Sequence, residues 1–193
     1  MKDTDFSKYI DNSVNTINSI KEHSNTISEM IEGLHDCFKN GGKILIAGNG
    51  GSHSDAEHFA GELMCTYKNK ERSALPAVCL GSNVASITAW SNDFNYESVF
   101  SRQIESIGSK NDILFLLSTS GGNKITGQSL NIINAAEVGI KNGLIIFSLV
   151  GKGGGELSKI SHKSIVINSD VTSHIQEAHI TIIHLLCESF EKL

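Results

Sequence analysis

Proline is nearly missing from this sequence, one residue in 193 against 18 glycines, so backbone freedom is concentrated in Gly-rich turns. Cysteine is sparse too: Cys37, Cys65, Cys79 and Cys187 stand far apart with no C-x-x-C pair. That spacing excludes a disulfide framework and a thiolate zinc site, and it points to a reducing compartment. The opening Met1-Lys2-Asp3-Thr4-Asp5 has no apolar stretch of the signal-peptide kind. The longest apolar runs, Ile113–Leu117 and Leu144–Phe147, are far too short to span a bilayer. The expectation is a cytoplasmic protein with no membrane partner. Basic charge is in deficit as well. With net charge −5 and pI about 5.9 the chain lacks the basic face that a phosphate backbone demands, so nucleic acid is not an expected partner. An apolar fraction of 39% and a charged fraction of 19% argue against disorder and for a packed core. No repeat, low-complexity tract or linker interrupts residues 1–193, which read as one domain.

Apolar positions recur at helical spacing through Ile10, Val14, Ile17 and Ile20, then through Ile27, Ile31, Leu34 and Phe38. His23-Ser24-Asn25 breaks the pattern and Gly41-Gly42 ends it, so residues 1–40 read as two helices. From 41 to 193 the pattern alternates. Short apolar runs at Lys43–Ala47, Ala77–Leu80, Asp112–Leu117, Gly143–Leu149 and Ser164–Ile167 read as buried parallel strands. Helical patterns at 53–67, 83–106, 124–139, 154–160 and 172–192 lie between and after them. The expected fold is α/β, a doubly wound five-stranded parallel sheet with two extra N-terminal helices. Ligands in such sheets bind at the carboxyl ends of strands.

Four segments carry chemistry. Gly48-Asn49-Gly50-Gly51-Ser52 follows the first strand and opens a helix. Glycines there let backbone N–H groups approach an anion, though the spacing is neither Walker A nor G-x-G-x-x-G, and a bare tight turn would look the same. Ser118-Thr119-Ser120-Gly121-Gly122-Asn123 follows the third strand. One hydroxyl would suffice as a helix cap, and three in a row make a donor-rich cradle for phosphate or sugar oxygens. His58 and Glu62 are four residues apart on one helix face, a spacing that suits shared metal ligation or an acid/base pair and equally an ordinary surface pair. On the last helix, Gln176, Glu177, His179 and His184 sit among Ile and Leu, where a polar group needs a partner. Spacing alone does not choose among those four. Asn92-Asp93 reads as a loop that could contact a sugar hydroxyl or simply turn the chain. His53 lies inside the Gly-rich turn, and His23, His35 and His162 carry no assigned role.

Taken together, Gly48–Ser52, His58-Phe59-Ala60-Gly61-Glu62-Leu63, Asn92-Asp93-Phe94, Phe100-Ser101-Arg102-Gln103, Ser118–Gly121, Gly151-Lys152-Gly153-Gly154 and Ile175-Gln176-Glu177-Ala178-His179-Ile180 resemble the sugar isomerase (SIS) domain family. Within it the match is to the phosphoheptose isomerases, essentially end to end. The resemblance implies a flavodoxin-like fold and aldose–ketose isomerisation of sedoheptulose 7-phosphate to D-glycero-D-manno-heptose 7-phosphate through an enediolate. It further implies heptose supply for bacterial surface polysaccharide, a homotetramer with active sites between subunits, and one zinc ion per subunit. By position, Glu62 corresponds to the general base and His184 to the second acid/base. His58, Glu62, Gln176 and His184 correspond to zinc ligands. Ser52, Ser118, Thr119 and Ser120 correspond to phosphate-binding hydroxyls, with Asn49, Gly50, Gly51, Asp93, Asn123 and Gln176 completing the substrate site.

Four positions differ from the usual family pattern. Thr66, with Lys68 nearby, and His174 each stand where relatives carry Arg, and Asn123 and Ile125 stand where a Ser and an Asn are common. These differences leave open an isomerase for another sugar phosphate. The non-catalytic alternative is a SIS-fold protein of the type that associates with the bacterial replication initiator. That type lacks a carboxylate at the place of Glu62 and a His at the place of His184.

Overall fold

A computed structural model describes residues 5–191. Most of the opening segment read above for a signal, residues 1–4, and the final position of the expected C-terminal helix, 192, lie outside them.

Five strands form one sheet: β1 (Ile44–Gly48), β2 (Ala77–Cys79), β3 (Ile113–Ser118), β4 (Ile145–Val150) and β5 (Lys163–Val166). All pair in parallel, in the order β2-β1-β3-β4-β5, the flavodoxin-like arrangement. Every residue of β1 and β3 is buried, which explains why these strands read as continuous apolar runs. Their side chains nevertheless alternate. Ile44, Ile46, Ile113, Phe115 and Leu117 pack on one face with α2 (Ser24–Lys39), α3 (Gly51–Met64) and α8 (Thr172–Glu188). Leu45, Ala47, Leu114 and Leu116 pack on the other with α5 (Val99–Ile107), α6 (Leu130–Lys141) and α7 (Leu157–Ile160).

β1 and β3 are neighbours whose following helices, α3 and α6, go to opposite faces. Their carboxyl ends therefore diverge into a crevice, the usual ligand position in an open α/β sheet. Lys43 Nζ reaches Asp112 Oδ2 at 2.7 Å, tying together the opposite, amino ends of the same two strands.

The structure corrects several boundaries. The pattern at 83–106 is two helices, α4 (Val84–Asp93) and α5, separated by a 3-10 turn at Tyr96–Ser98. Asn95 caps that turn by accepting from Ser98 N, which stops α4 continuing. The expected helix at 124–139 begins only at Leu130, because residues 123–128 form a loop closed by an antiparallel bridge between Asn123 and Gln128. At the N-terminus the break is a 3-10 turn, Ile20–His23, between α1 (Phe6–Ser19) and α2, so Ser24 and Asn25 are already helical.

The apolar stripe of α1 is also not wholly inward. Ile10 is 58% and Val14 50% exposed, and Phe6 joins them at 74%. Polar contacts help hold the helix to α8, Tyr9 Oη donating to Glu177 Oε1 and Ser13 to Glu177 Oε2, while Ile17 packs against the core. The four cysteines are free thiols.

Candidate active site

Gly50 sits at φ +57° immediately before α3, a conformation open to glycine, and no side chain caps the helix that follows. α3 thus presents an uncapped N-terminus to the crevice, with Gly51 and Ser52 at its edge. Across from it, the turn after β3 contributes Ser118, Thr119 and Ser120. Ser118 Oγ accepts from Gly121 N at 3.1 Å and Ser120 Oγ from Gly122 N at 3.3 Å. Both hydroxyls act as acceptors to shape their own loop, and each keeps its O–H to donate to a ligand. None of the three caps α6, whose N-cap is Ser129.

The cavity between these elements is about 240 Å³ and is completed by Asn49, Leu117, Gln128, Ser129, Thr172 and Gln176. Among the described residues its lining carries no charged side chain, so an anion here would be bound by hydroxyls, amides and a helix end.

Gln176 reaches the cavity because position 51 is glycine: a Cβ there would lie 2.3 Å from Gln176 Nε2. Asn49 is held from two sides. It exchanges amide hydrogen bonds with buried Asn131 at 2.9 and 2.8 Å, and Tyr96 Oη donates to its Oδ1 at 3.0 Å.

Farther along the same two helices lies a second cluster. His58 Nε2 and His184 Nε2 are 3.0 Å apart, so one imidazole donates to the other. His58 Nε2 is also 3.5 Å from Glu62 Oε1. The structure thus joins the α3 pair to His184, 126 residues beyond His58. Asp55, one turn earlier on α3, has its carboxyl pushed up to about 6 by burial, with His58 pulling the other way, and its Oδ2 has no partner among the described residues.

The donor types at His58, Glu62 and His184 fit zinc, which takes imidazole nitrogen and carboxylate oxygen. Their present spacing is that of a hydrogen-bonded imidazole pair with a carboxylate beside it. Among the described residues no three His, Cys, Asp or Glu side chains stand at metal-holding distances from one another.

Other expected residues lie elsewhere. Gln176 belongs to the cavity, eight positions before His184 along α8. Asp93 ends α4 and accepts from the Asn92 amide, and it does not line the cavity. Asn123 spends its Oδ1 on Ile125 N and Thr126 N within its own loop.

The Ser and Asn that seemed displaced by Asn123 and Ile125 have counterparts six residues later. Ser129 lines the cavity and Asn131 braces Asn49, with the 123–128 loop looped out before them. Lys68 does not stand in for an Arg at Thr66, since it pairs with Glu188. His174 is 3% exposed with Nε2 unpartnered, edge-on to Tyr9 at 4.6 Å.

Sequence reasoning missed Asn131, Tyr96, Gln128, Ser129 and Thr172. Ser129-Leu130-Asn131 at the start of an apolar helical stretch was the one available signal. Two of the three unassigned histidines are structural: His162 Nδ1 accepts from Ile146 N at 2.9 Å, and His35 stacks on Phe190 at 4.4 Å.

A model of the SIS domain matches residues 8–151. A phosphoheptose isomerase of Campylobacter jejuni subsp. jejuni serotype O:6 is 44% identical over 166 residues, covering 86% of each chain. The chain belongs to the SIS domain family, on its phosphoheptose isomerase branch. A phosphoheptose isomerase of Helicobacter pylori strain 26695 is 41% identical over 181 residues, covering 88% of this SIS chain and 91% of that protein. Among solved structures, the phosphoheptose isomerase GmhA of Neisseria gonorrhoeae superposes with TM-score 0.88 at 29% identity, covering 97% of both chains. The Francisella tularensis enzyme superposes at 0.86 and 31%, covering 98% of this SIS domain and 100% of that chain.

Proposed function

We propose that the protein is a phosphoheptose isomerase converting sedoheptulose 7-phosphate to D-glycero-D-manno-heptose 7-phosphate. The observation that carries this is the convergence of Glu62, His58 and His184 beside a hydroxyl-lined, uncharged anion cavity, on a chain of this family. Ser52 and His58 are separated by six helical residues, about 9 Å along α3. That matches the length of an extended seven-carbon sugar with its phosphate in the cavity and its reacting end at the cluster.

The ketose carbonyl must become a hydroxyl while the adjacent hydroxyl carbon becomes the aldehyde. Glu62 removes the proton from that carbon and returns it to the neighbouring one. His184 moves the proton between the two oxygens, so the intermediate is an enediol(ate) and the atoms balance. Thr119, Ser120, Ser52 and the N-terminus of α3 hold the phosphate, whose binding energy positions the reacting carbons. Asn49 and Gln176 contact sugar hydroxyls. His58, Glu62 and His184 would hold a zinc ion, which would polarise the carbonyl oxygen and stabilise enediolate charge, while Gln176 stays with the cavity.

A homotetramer is supported by the exposed Phe6, Ile10 and Val14 stripe on α1, which a neighbouring copy would cover. A cytoplasmic location fits a sugar-phosphate substrate, and no described helix is long and apolar enough to cross a membrane. The initiator-associating reading is disfavoured by the joint presence of Glu62 and His184 in one cluster.

The test is turnover of sedoheptulose 7-phosphate by purified protein, followed as aldose formation. Glu62→Gln and His184→Ala are each expected to lower kcat by about 10²- to 10⁴-fold with the fold intact. Full activity in both variants sinks the mechanism, and no turnover by the parent protein with added zinc sinks the substrate. Chelation is expected to reduce activity and zinc to restore it; undiminished turnover after chelation removes the metal from the scheme.

A further inference from the structure

His184 is addressed from both sides. His58 meets its Nε2, and the ring of Tyr67 lies nearly parallel to it, with centroids 5.7 Å apart and an interplanar angle of 18°. Tyr67 is half-buried and belongs to the stretch 66–72, which leaves α3 without entering a helix or strand.

That stretch is tied down far more densely than its irregular backbone requires. Thr66 Oγ1 donates to Asn69 O at 3.1 Å, turning the chain back on itself. Lys68 lies over the Tyr67 ring at 5.2 Å and pairs with Glu188, one helical turn beyond His184 on α8. The backbone N–H groups of Lys68 and Asn69 both donate to Glu191 Oε2.

Arg72 closes the arrangement. Its Nε meets Glu191 Oε1 at 3.2 Å, while its Nη atoms donate to Glu62 O at 2.7 Å and Leu63 O at 3.1 Å. Arg72 therefore satisfies orphan carbonyls at the C-terminal end of α3 and holds a carboxylate just past the end of α8. With side-chain exposures of 2% and 8%, Arg72 and Glu191 form a pair largely shielded from solvent, which makes this clamp rigid. The two helices that bring Glu62 and His184 together are thus joined at their ends by one short segment, and Tyr67 is the only ring of that segment to reach the site.

We propose that Tyr67 is a positioning residue for His184, fixing the plane of its imidazole, with residues 66–72 as the strap that holds Tyr67 there. The proposal rests on the acid/base role given above to His184. A histidine at the end of a rotatable side chain can turn about two torsions, and proton transfer fails when the ring leaves the line of the substrate oxygen. An aromatic face parallel to it removes that freedom through contact area, and needs no hydroxyl.

The test compares Tyr67→Leu, which keeps bulk and loses the flat ring, with Tyr67→Phe, which keeps the ring. Steady-state kinetics on sedoheptulose 7-phosphate are run beside NMR of the histidine ring protons, with His184 assigned by its loss in His184→Ala. Tyr67→Leu is expected to lower kcat by about 10- to 100-fold with KM changed less than about two-fold. Tyr67→Phe is expected to restore kcat. The His184 ring protons are expected upfield in the parent protein and in Tyr67→Phe, and shifted back in Tyr67→Leu.

Parent-like kcat in Tyr67→Leu, a Tyr67→Phe variant as impaired as Tyr67→Leu, or a rise in KM alone overturns the proposal. If the parent protein turns over no sedoheptulose 7-phosphate, the functional reading fails while the NMR comparison still decides the stacking. Should Tyr67→Leu not fold, exposed Lys68→Met loosens the strap from outside. A few-fold fall in kcat with a partial return of the His184 resonances supports the role, and no change in either removes it.

Discussion

The two halves of the site are built by different means, although the same two helices carry both. The cavity at the ends of β1 and β3 is made of local devices: a glycine at φ +57°, an uncapped helix, and serines whose hydroxyls accept from backbone two or three residues on. Each is set by neighbours in the chain. The His58–Glu62–His184 cluster has one local element, the i,i+4 pair, and becomes a site only when α8 is laid beside α3. Binding is written into turns, and chemistry depends on how two helices are spaced. The cavity should therefore tolerate small shifts of α8 better than the cluster does.

The strongest way to break this division is to remove cavity hydroxyls. Thr119→Val with Ser120→Ala is expected to raise KM by about 10²- to 10⁴-fold, since each hydrogen bond to a charged group is worth about 1.5–3 kcal/mol, while kcat changes only a few-fold. Steady-state kinetics decide it; a kcat loss at unchanged KM would mean the cavity takes part in the chemical step.

A smaller effect is expected from Asn131→Leu, which strips Asn49 of its reciprocal amide partner. About a ten-fold fall in kcat/KM is expected, from the 1–3 kcal/mol cost of an unpaired polar group. Tyr96→Phe, removing one of two donors to the same oxygen, should cost less. Equal losses in both variants would place the work on Tyr96 itself.

The mildest test concerns packing beneath α8. Burial lowers the His179 imidazole to about 4, and the Val150 backbone lies against the ring without closing a hydrogen bond to it. A depressed histidine contributes stability above its unfolded value near 6.5, and that stability drains away as pH falls toward 4. Melting curves should show a loss of about 1 kcal/mol between pH 7 and 5.5, absent in His179→Gln. An unchanged slope in the variant would assign the acid sensitivity to other groups.

Much of the fold was legible because β1 and β3, buried on both faces, leave unbroken apolar runs bounded by turn residues. Two of the boundaries that failed did so where a side chain met its own backbone. Asn95 ended α4 and Asn123 built the loop before α6, and polar residues at such positions look helical when only apolar spacing is counted. The outward turn of Ile10 and Val14 on α1 was hidden for a different reason. Periodicity reports that a stripe exists and is silent on which partner covers it.

By itself the sequence determined the α/β alternation, the two ligand-facing turns and the residue types at the site, because period, glycine and hydroxyl placement are local properties. Tertiary structure alone decided which member of Gln176, Glu177, His179 and His184 faces which partner. Gln176 enters the cavity past Gly51, Glu177 anchors α1, His179 is sealed in the core, and His184 meets His58 and Tyr67. All four lie on one helix within nine residues, and their fates are set by what each side of α8 packs against, information that no spacing along a single helix contains.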